Sequence, residues 1–203
     1  MSDGSGKTGS CVAFDIGNVC IAISPERCEE ATGIPNDLPE WAGLCYDFEC
    51  GRLGEELFLE RAKSLVPKGH RLDGGIRSAF EAKILQPIPG MEALLKGLAE
   101  LGMRPVFFSD ISTIHLECFR SRFSGAEDYG GVYSFEVGSW KPSEAMFTAF
   151  EERYGVPLLY LDDRQDLIEA ARRRGWRSSV QFSSAAETDR FLREAISAGG
   201  KII

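Results

Sequence analysis

The chain has 203 residues, 43% of them hydrophobic, with 31 acidic against 23 basic side chains and a formal net charge of -8. That length and apolar content suffice to bury a core, either as one domain or as a core carrying an inserted module, and exclude disorder throughout. The negative balance opposes electrostatic capture by nucleic acid or anionic lipid, so a small substrate or a metal ion is the expected partner.

No apolar run approaches the roughly 20 residues that span a bilayer, and the polar, glycine-rich start lacks the charged and apolar regions of a signal peptide. The expectation is a soluble cytoplasmic protein without a nucleic-acid or membrane partner. Residues 1–10 read as a flexible tail. They contain "GSGKTG", but the glycine that a Walker A loop needs five residues before Gly6 falls on Met1, and the strand follows the motif instead of preceding it. Six cysteines (Cys11, Cys20, Cys28, Cys45, Cys50 and Cys118) form no CxxC pair, and only His70 and His115 accompany them. A zinc site of ordinary spacing is hard to build from that set, and reduced, buried thiols are expected.

In chain order, the first element is the apolar run from Cys11 to Ile16, which carries Asp15 near its end and Gly17 just beyond. Such a run reads as a buried parallel strand whose carboxyl end faces a site. Residues 21–85 then break the pattern. They show helical spacing, clearest over Glu55–Leu65 with Leu57, Phe58, Ala62 and Leu65 apolar, and turn signals at Gly51, Gly54, Gly69 and Gly74–Gly75, but no convincing buried strand. A helical insertion is expected, placed over the strand ends as a lid. Trp41, Tyr46 and Phe48 are expected in its own core, with pocket lining as the alternative.

Helical periodicity returns from Gly90 to Leu101, through Met91, Leu94, Leu95, Leu98 and Leu101, and Gly102 stops it. Strands are expected at Arg104–Phe108 and Leu158–Leu161, and helices over Ser143–Tyr154 and Asp166–Arg174. The last helix ends in three arginines before Gly175, in keeping with the helix dipole. Alternating strands and helices of these lengths imply an α/β fold: a three-layer, Rossmann-like core with a parallel sheet, made of residues 11–20 and 86–203, with residues 21–85 inserted. Ligands of such folds bind beyond the carboxyl ends of the strands.

Asp15, Ser109–Asp110, Lys141–Pro142 and Asp162–Asp163 all fall at that edge. A carboxylate attacking a phosphoryl group needs a divalent cation beside the anionic substrate, a lysine to offset accumulating charge, and a hydroxyl donor to a phosphoryl oxygen. All are available here. Taken singly, these residues also read as helix caps, turn formers or solvated side chains; Asp166 in particular is expected to cap the helix that follows.

From residue 11 to 182 the sequence resembles the haloacid dehalogenase (HAD) superfamily, whose four motifs match "FDIGNV", "VFFSD", "KP" and "YLDD" in order. "YDFECGRLGEELFLERA" and "PIPGMEALLKGLAELG" look like the branch that includes α-D-glucose-1-phosphate phosphatase. The resemblance implies that Asp15 is the nucleophile and a ligand of Mg2+, with the Gly17 carbonyl and Asp163 as further ligands and Asp162 orienting them. It implies a substrate-binding set of Asn18, Ser109, Asp110 and Lys141. Asp110 stands where the branch often has asparagine.

Two departures matter. Gly17 replaces the aspartate that usually protonates the leaving oxygen, a group whose loss typically removes on the order of 10²–10⁴ in rate. Anomeric, acyl and aryl oxygens need that proton least. Leu167 replaces the usual asparagine or aspartate and neither donates nor accepts a hydrogen bond. The expectation is a magnesium-dependent phosphatase acting on a small phosphorylated metabolite, such as a sugar phosphate, through an aspartyl-phosphate. The alternatives are a catalytically weak or inactive relative that binds a ligand or a protein, and a metal-independent dehalogenase.

Overall fold

The structure, a computed structural model, describes residues 10–197. The expectations for residues 1–9, "GSGKTG" among them, lie outside the described residues. The first apolar run forms β1 (Cys11–Phe14), every residue of which is buried. A tight turn follows, closed by Cys20 and Ile21 amides donating to the Ile16 carbonyl at 2.9 and 3.0 Å. Asn18 holds φ at 53° within it, in the left-handed region that asparagine tolerates better than most residues.

The turn leads to β2 (Ile21–Ile23) and then to four helices: α1 (Pro25–Thr32), α2 (Pro39–Glu49), α3 (Glu55–Leu65) and α4 (Gly75–Glu81). The chain returns through β3 (Ile84–Pro87), which pairs antiparallel with β2. Next come α5 (Met91–Glu100), β4 (Arg104–Ser109), α6 (Thr113–Arg122), a 3-10 turn over Ala126–Asp128, β5 (Gly130–Tyr133) and the short α7 (Ser134–Val137). The described chain closes with α8 (Glu144–Tyr154), β6 (Leu159–Asp162), α9 (Gln165–Arg174), β7 (Ser179–Gln181) and α10 (Ala185–Ser197).

Five strands make one sheet in the order β5-β4-β1-β6-β7, all parallel. Strand side chains alternate between faces, so Val12 and Phe14 join Phe107 in one apolar layer with α5 and α6, while Ala13 joins Phe108, Tyr160 and Trp176 in the other with α8 and α9. Burial on both faces is why the central strands read as unbroken apolar runs. Phe14 lies level with Phe107 and Leu161, and this register brings the polar residues that end β1, β4 and β6 to one edge.

Residues 21–85 are not wholly helical: β2 and the start of β3 form a two-stranded ribbon at the base of the insertion. Each is too short, and too open on one side, to stand out in the sequence as a buried strand. β5 was also not anticipated, because it begins with Gly130 and Gly131; a Cβ on either would collide with the ring of Tyr154 or Tyr133. Among α1–α4, Cys28, Trp41, Phe48, Phe58 and Phe80 form a separate apolar cluster that also takes in Ile114 of α6. Tyr46 lies outside that cluster and meets Trp140 edge-on at 4.6 Å. All six cysteines are free. No helix among the described residues is long and apolar enough to cross a membrane.

The helical segment is fastened to the sheet domain by polar contacts. Arg77 on α4 reaches Glu117 on α6 at 2.6 Å, and Ser134 donates its hydroxyl to the Glu49 carbonyl at 2.5 Å. His115, 2% exposed, donates from Nε2 to the Phe80 carbonyl at 3.1 Å and stacks on the Phe80 ring. Burial pushes the His115 imidazole from 6.5 down to about 3, with Lys83 adding to the effect. The folded state therefore favours the neutral ring, and the stability it contributes is present above pH 6.5 and lost as pH falls toward 3. Below pH 6.5 the wild type should lose up to roughly 1.4 kcal/mol per pH unit relative to His115→Gln. Urea unfolding of both proteins between pH 7.5 and 5 checks this, and parallel stability curves would refute it.

Candidate active site

The centre of the site is the Lys141 ammonium. Its three protons go to Asp15 Oδ1 at 2.8 Å, Asp162 Oδ2 at 2.7 Å and the Phe108 carbonyl at 3.0 Å. One cation thus joins the carboxyl ends of β1, β4 and β6, and its side chain is 2% exposed. Burial by itself would lower the Lys141 pKa, but Asp15 and Asp162 together hold it well above its ordinary value. Burial pushes the Asp15 carboxyl up to about 7 against the pull of Lys141, with the Asp162 charge adding to the rise.

Asp162 is fully committed. Besides Lys141 it accepts from the Tyr160 hydroxyl on Oδ2 and from the Arg164 amide on Oδ1, at 3.0 Å. Asp163 is half-buried and takes a 3.1 Å hydrogen bond from the Asn18 side chain, while Asn18 Oδ1 accepts from the Ile23 amide at 3.3 Å. Burial raises the Asp163 carboxyl, and the Asn18 hydrogen bond opposes that rise. Oxygen atoms of Asp15, Asp162 and Asp163 lie within 4.8 Å of one another. Such an all-oxygen donor set suits a hard divalent cation. With Asp162 occupied by other donors, Asp15 and Asp163 are the carboxylates left to bind one.

Ser109, 2% exposed, ends β4 beside Asp15. Asp110 accepts the Lys141 backbone amide on Oδ1 at 2.9 Å, and burial raises its carboxyl. It thereby anchors the loop that carries Lys141. The structure brings Asp15, Asn18, Ser109, Asp110, Lys141, Asp162 and Asp163 to one sheet edge, as expected from their order in the chain. It does not make Asp166 the helix cap: Arg164 is the N-cap of α9, without a side-chain cap, and Asp166 pairs with the Arg164 guanidinium at 2.7 Å.

No family model matches the sequence, and neither does any curated protein. Solved structures do match. The HAD family enzyme bt-2542 of Bacteroides thetaiotaomicron superposes with a TM-score of 0.75 at 21% identity, covering 88% of this chain and 95% of that one. A predicted HAD-like family hydrolase of Porphyromonas gingivalis gives 0.74 at 20% identity, covering 92% and 98%. L-2-haloacid dehalogenase of Xanthobacter autotrophicus gives 0.58 at 15% identity, covering 96% and 84%. The fold is that of the HAD enzymes.

On this HAD fold the two departures acquire physical surroundings. A Cβ at Gly17 would stand 3.1 Å from Ile23 Cδ1 and 3.8 Å from Asp15 Oδ2, so an apolar side chain borders the space that a residue there would enter. Leu167 is buried, with 1% of its surface exposed. Lys141 is held without it, since all three of its protons already have acceptors. Tyr160 was not singled out from the sequence. Its position two residues before Asp162 puts both on the same side of β6, and that period of two was the available signal.

Removing Lys141 strands two buried carboxylates, and breaking a buried pair in this way typically costs about 3–5 kcal/mol. Lys141→Met should lose that much in metal-free denaturant unfolding. Asp166→Asn, which breaks an exposed pair with Arg164, should lose less than about 1 kcal/mol. Similar losses in the two variants would show that Lys141 does not organise the site.

Proposed function

We propose that the protein is a magnesium-dependent phosphatase of a small phosphorylated metabolite, working through an aspartyl-phosphate on Asp15. The observation that carries this reading is the hydrogen bond from Lys141 to Asp15, with Asp163 close by and Ser109 at the neighbouring strand end. Magnesium bound by Asp15, Asp163 and the Gly17 carbonyl would neutralise charge on the phosphoryl group and on the carboxylate that approaches it. The complex of the Bacteroides enzyme with magnesium and inorganic phosphate supports both the cation and the substrate class.

In the first step an Asp15 carboxylate oxygen forms a bond to phosphorus while the bond to the leaving oxygen breaks and its electron pair departs with that oxygen. Lys141 fixes the carboxylate and offsets charge on the phosphoryl oxygens, and the Ser109 hydroxyl donates to one of them. In the second step water attacks phosphorus, a proton is lost to solvent, inorganic phosphate leaves and the Asp15 carboxylate is restored. Gly17 supplies no proton to the leaving oxygen, so the reading favours oxygens that bear charge well: anomeric, acyl or aryl. A sugar phosphate with an anomeric ester meets that requirement. Under this reading the helices of residues 25–81 act as a lid that selects it.

Release of phosphate from an activated aryl ester should depend on magnesium and fall by at least about 10³-fold in Asp15→Asn. Anomeric esters should be turned over about 10²–10⁴-fold faster than primary-alcohol esters of the same sugar. Equal background from wild type and Asp15→Asn would favour a binding role. Halide release without metal would favour dehalogenation, and fast turnover of primary-alcohol esters would contradict the assignment of Gly17.

A further inference from the structure

Ser134 opens α7 at the end of β5, and Tyr133 just before it lies level with Ser109 across the β4–β5 pair. None of its surface is exposed. Its hydroxyl oxygen accepts the Ile111 amide at 2.9 Å, and its proton goes to the nearer of two acceptors, the Glu49 carbonyl at 2.5 Å, with the Ile111 carbonyl at 3.2 Å. One hydroxyl thus joins the inserted helices to the loop that follows Ser109.

Both partners are groups that their own elements leave unsatisfied. Glu49 is the last residue of α2, and the final carbonyls of a helix have no amide ahead of them. The amides of Cys50, Gly51 and Arg52 turn back to Tyr46, Phe48 and Asp47, which among the described residues leaves the Glu49 carbonyl to Ser134. Ile111 lies between the end of β4 and Ser112, the N-cap of α6, where neither sheet nor helix accepts its amide. The two segments also approach closely. A Cβ on Gly51 would collide with the carbonyl of Phe135, the residue after Ser134, so the chain leaving α2 lies directly on α7.

The loop held in this way carries the site. Asp110 is tied to the Lys141 amide at 2.9 Å, Ile111 to Ser134, and Ser112 to the His115 amide at 3.2 Å. Of these three ties, the one through Ser134 reaches the inserted helices. The direction of the Ser109 hydroxyl is set by the backbone that they hold.

We propose that Ser134 is a positioning residue for phosphoryl transfer: its hydroxyl holds the loop after Ser109 against the end of α2, and so keeps the Ser109 hydroxyl aimed at the phosphoryl oxygen while seating the inserted helices. The inference rests on the phosphatase reading of Asp15. Groups that stabilise a transition state must be held to within about 0.5 Å, and a misplacement of about 1 Å costs on the order of 10²-fold in rate. Without the Ser134 hydroxyl, the Ile111 amide and the Glu49 carbonyl are both buried without a partner, and the loop relieves that only by moving.

The test compares kcat and KM for an activated aryl phosphate, with magnesium present, in Ser134→Ala and in Glu117→Gln. The second variant breaks the contact with Arg77, which joins the same two parts of the chain without touching the loop after Ser109. Ser134→Ala should lose about 10- to 100-fold in kcat with KM within about threefold, and Glu117→Gln should keep kcat within about twofold. A kcat within about twofold of wild type in Ser134→Ala overturns the assignment. So does an equal loss in both variants, which would make Ser134 a fastening and nothing more. Ser134→Cys, nearly isosteric and a weaker donor and acceptor, is the folded variant if Ser134→Ala melts early, and an unchanged kcat in it overturns the assignment equally. Calorimetric binding of orthovanadate with magnesium reads the same placement without turnover, because that ion adopts the five-coordinate shape of the phosphoryl group in transfer. Its affinity should fall by the same factor, about 10- to 100-fold, in Ser134→Ala. If it does while the wild type hydrolyses no ester, the Ser134 assignment stands and the phosphatase reading falls. Unchanged affinity overturns the Ser134 assignment, and a wild type that neither hydrolyses the ester nor binds orthovanadate overturns both.

Discussion

One ammonium group organises the carboxyl edge of this sheet. Lys141 spends all three protons on groups from three strands, Asp15, Asp162 and the Phe108 carbonyl, in surroundings that exclude water. Taking a cation and two carboxylates out of water is costly, and only near-ideal geometry with every donor occupied offsets it. That requirement fixes how far the three strand ends can shift against one another. The Tyr160 hydroxyl and the Arg164 amide complete the acceptor capacity of Asp162, while Asp110 anchors the Lys141 backbone.

The arrangement leaves an excess of negative charge. Asp15, Asp110, Asp162 and Asp163 surround one ammonium, and Arg164 is drawn toward Asp166. Burial and mutual repulsion raise Asp15 to about 7, as expected for a cluster short of positive charge. Under the proposed function, a hard dication at Asp15 and Asp163 answers that shortage. Under the proposed function the same shortage explains why an anionic substrate needs the cation: without it a phosphoryl group would meet more repulsion than Lys141 alone can offset.

The sheet core was legible because burial on both faces demands unbroken apolar runs. Residues 11–14, 104–109 and 159–162 stand out against their flanks, and each carries a polar residue at or just after its end. The site was legible for the same reason, since parallel strands put those ends together. The β2–β3 ribbon was hidden because strands this short, half-covered, show neither an apolar run nor a clean alternation. β5 was hidden because Gly130 and Gly131 meet tyrosine rings, a constraint that belongs to tertiary packing and not to local propensity. Asp166 misled because an acidic residue near a helix start serves equally well as a cap or as the partner of a neighbouring arginine.

The Gly17 and Leu167 departures have unequal consequences. At 167 the structure loses little, since Lys141 is saturated by backbone and carboxylate acceptors and a leucine packs where a polar side chain would need partners. At 17, under the proposed function, the change reaches the chemistry. A glycine there keeps the backbone carbonyl but removes the only side chain at that position, and Ile23 Cδ1 lies 3.1 Å from where a Cβ would begin. Ile23 belongs to β2 and is paired with Ile84 of β3. Under the proposed function, an apolar side chain at that place gives the leaving oxygen no proton. Selection among substrates then falls, under the proposed function, to the leaving group's own tolerance of charge.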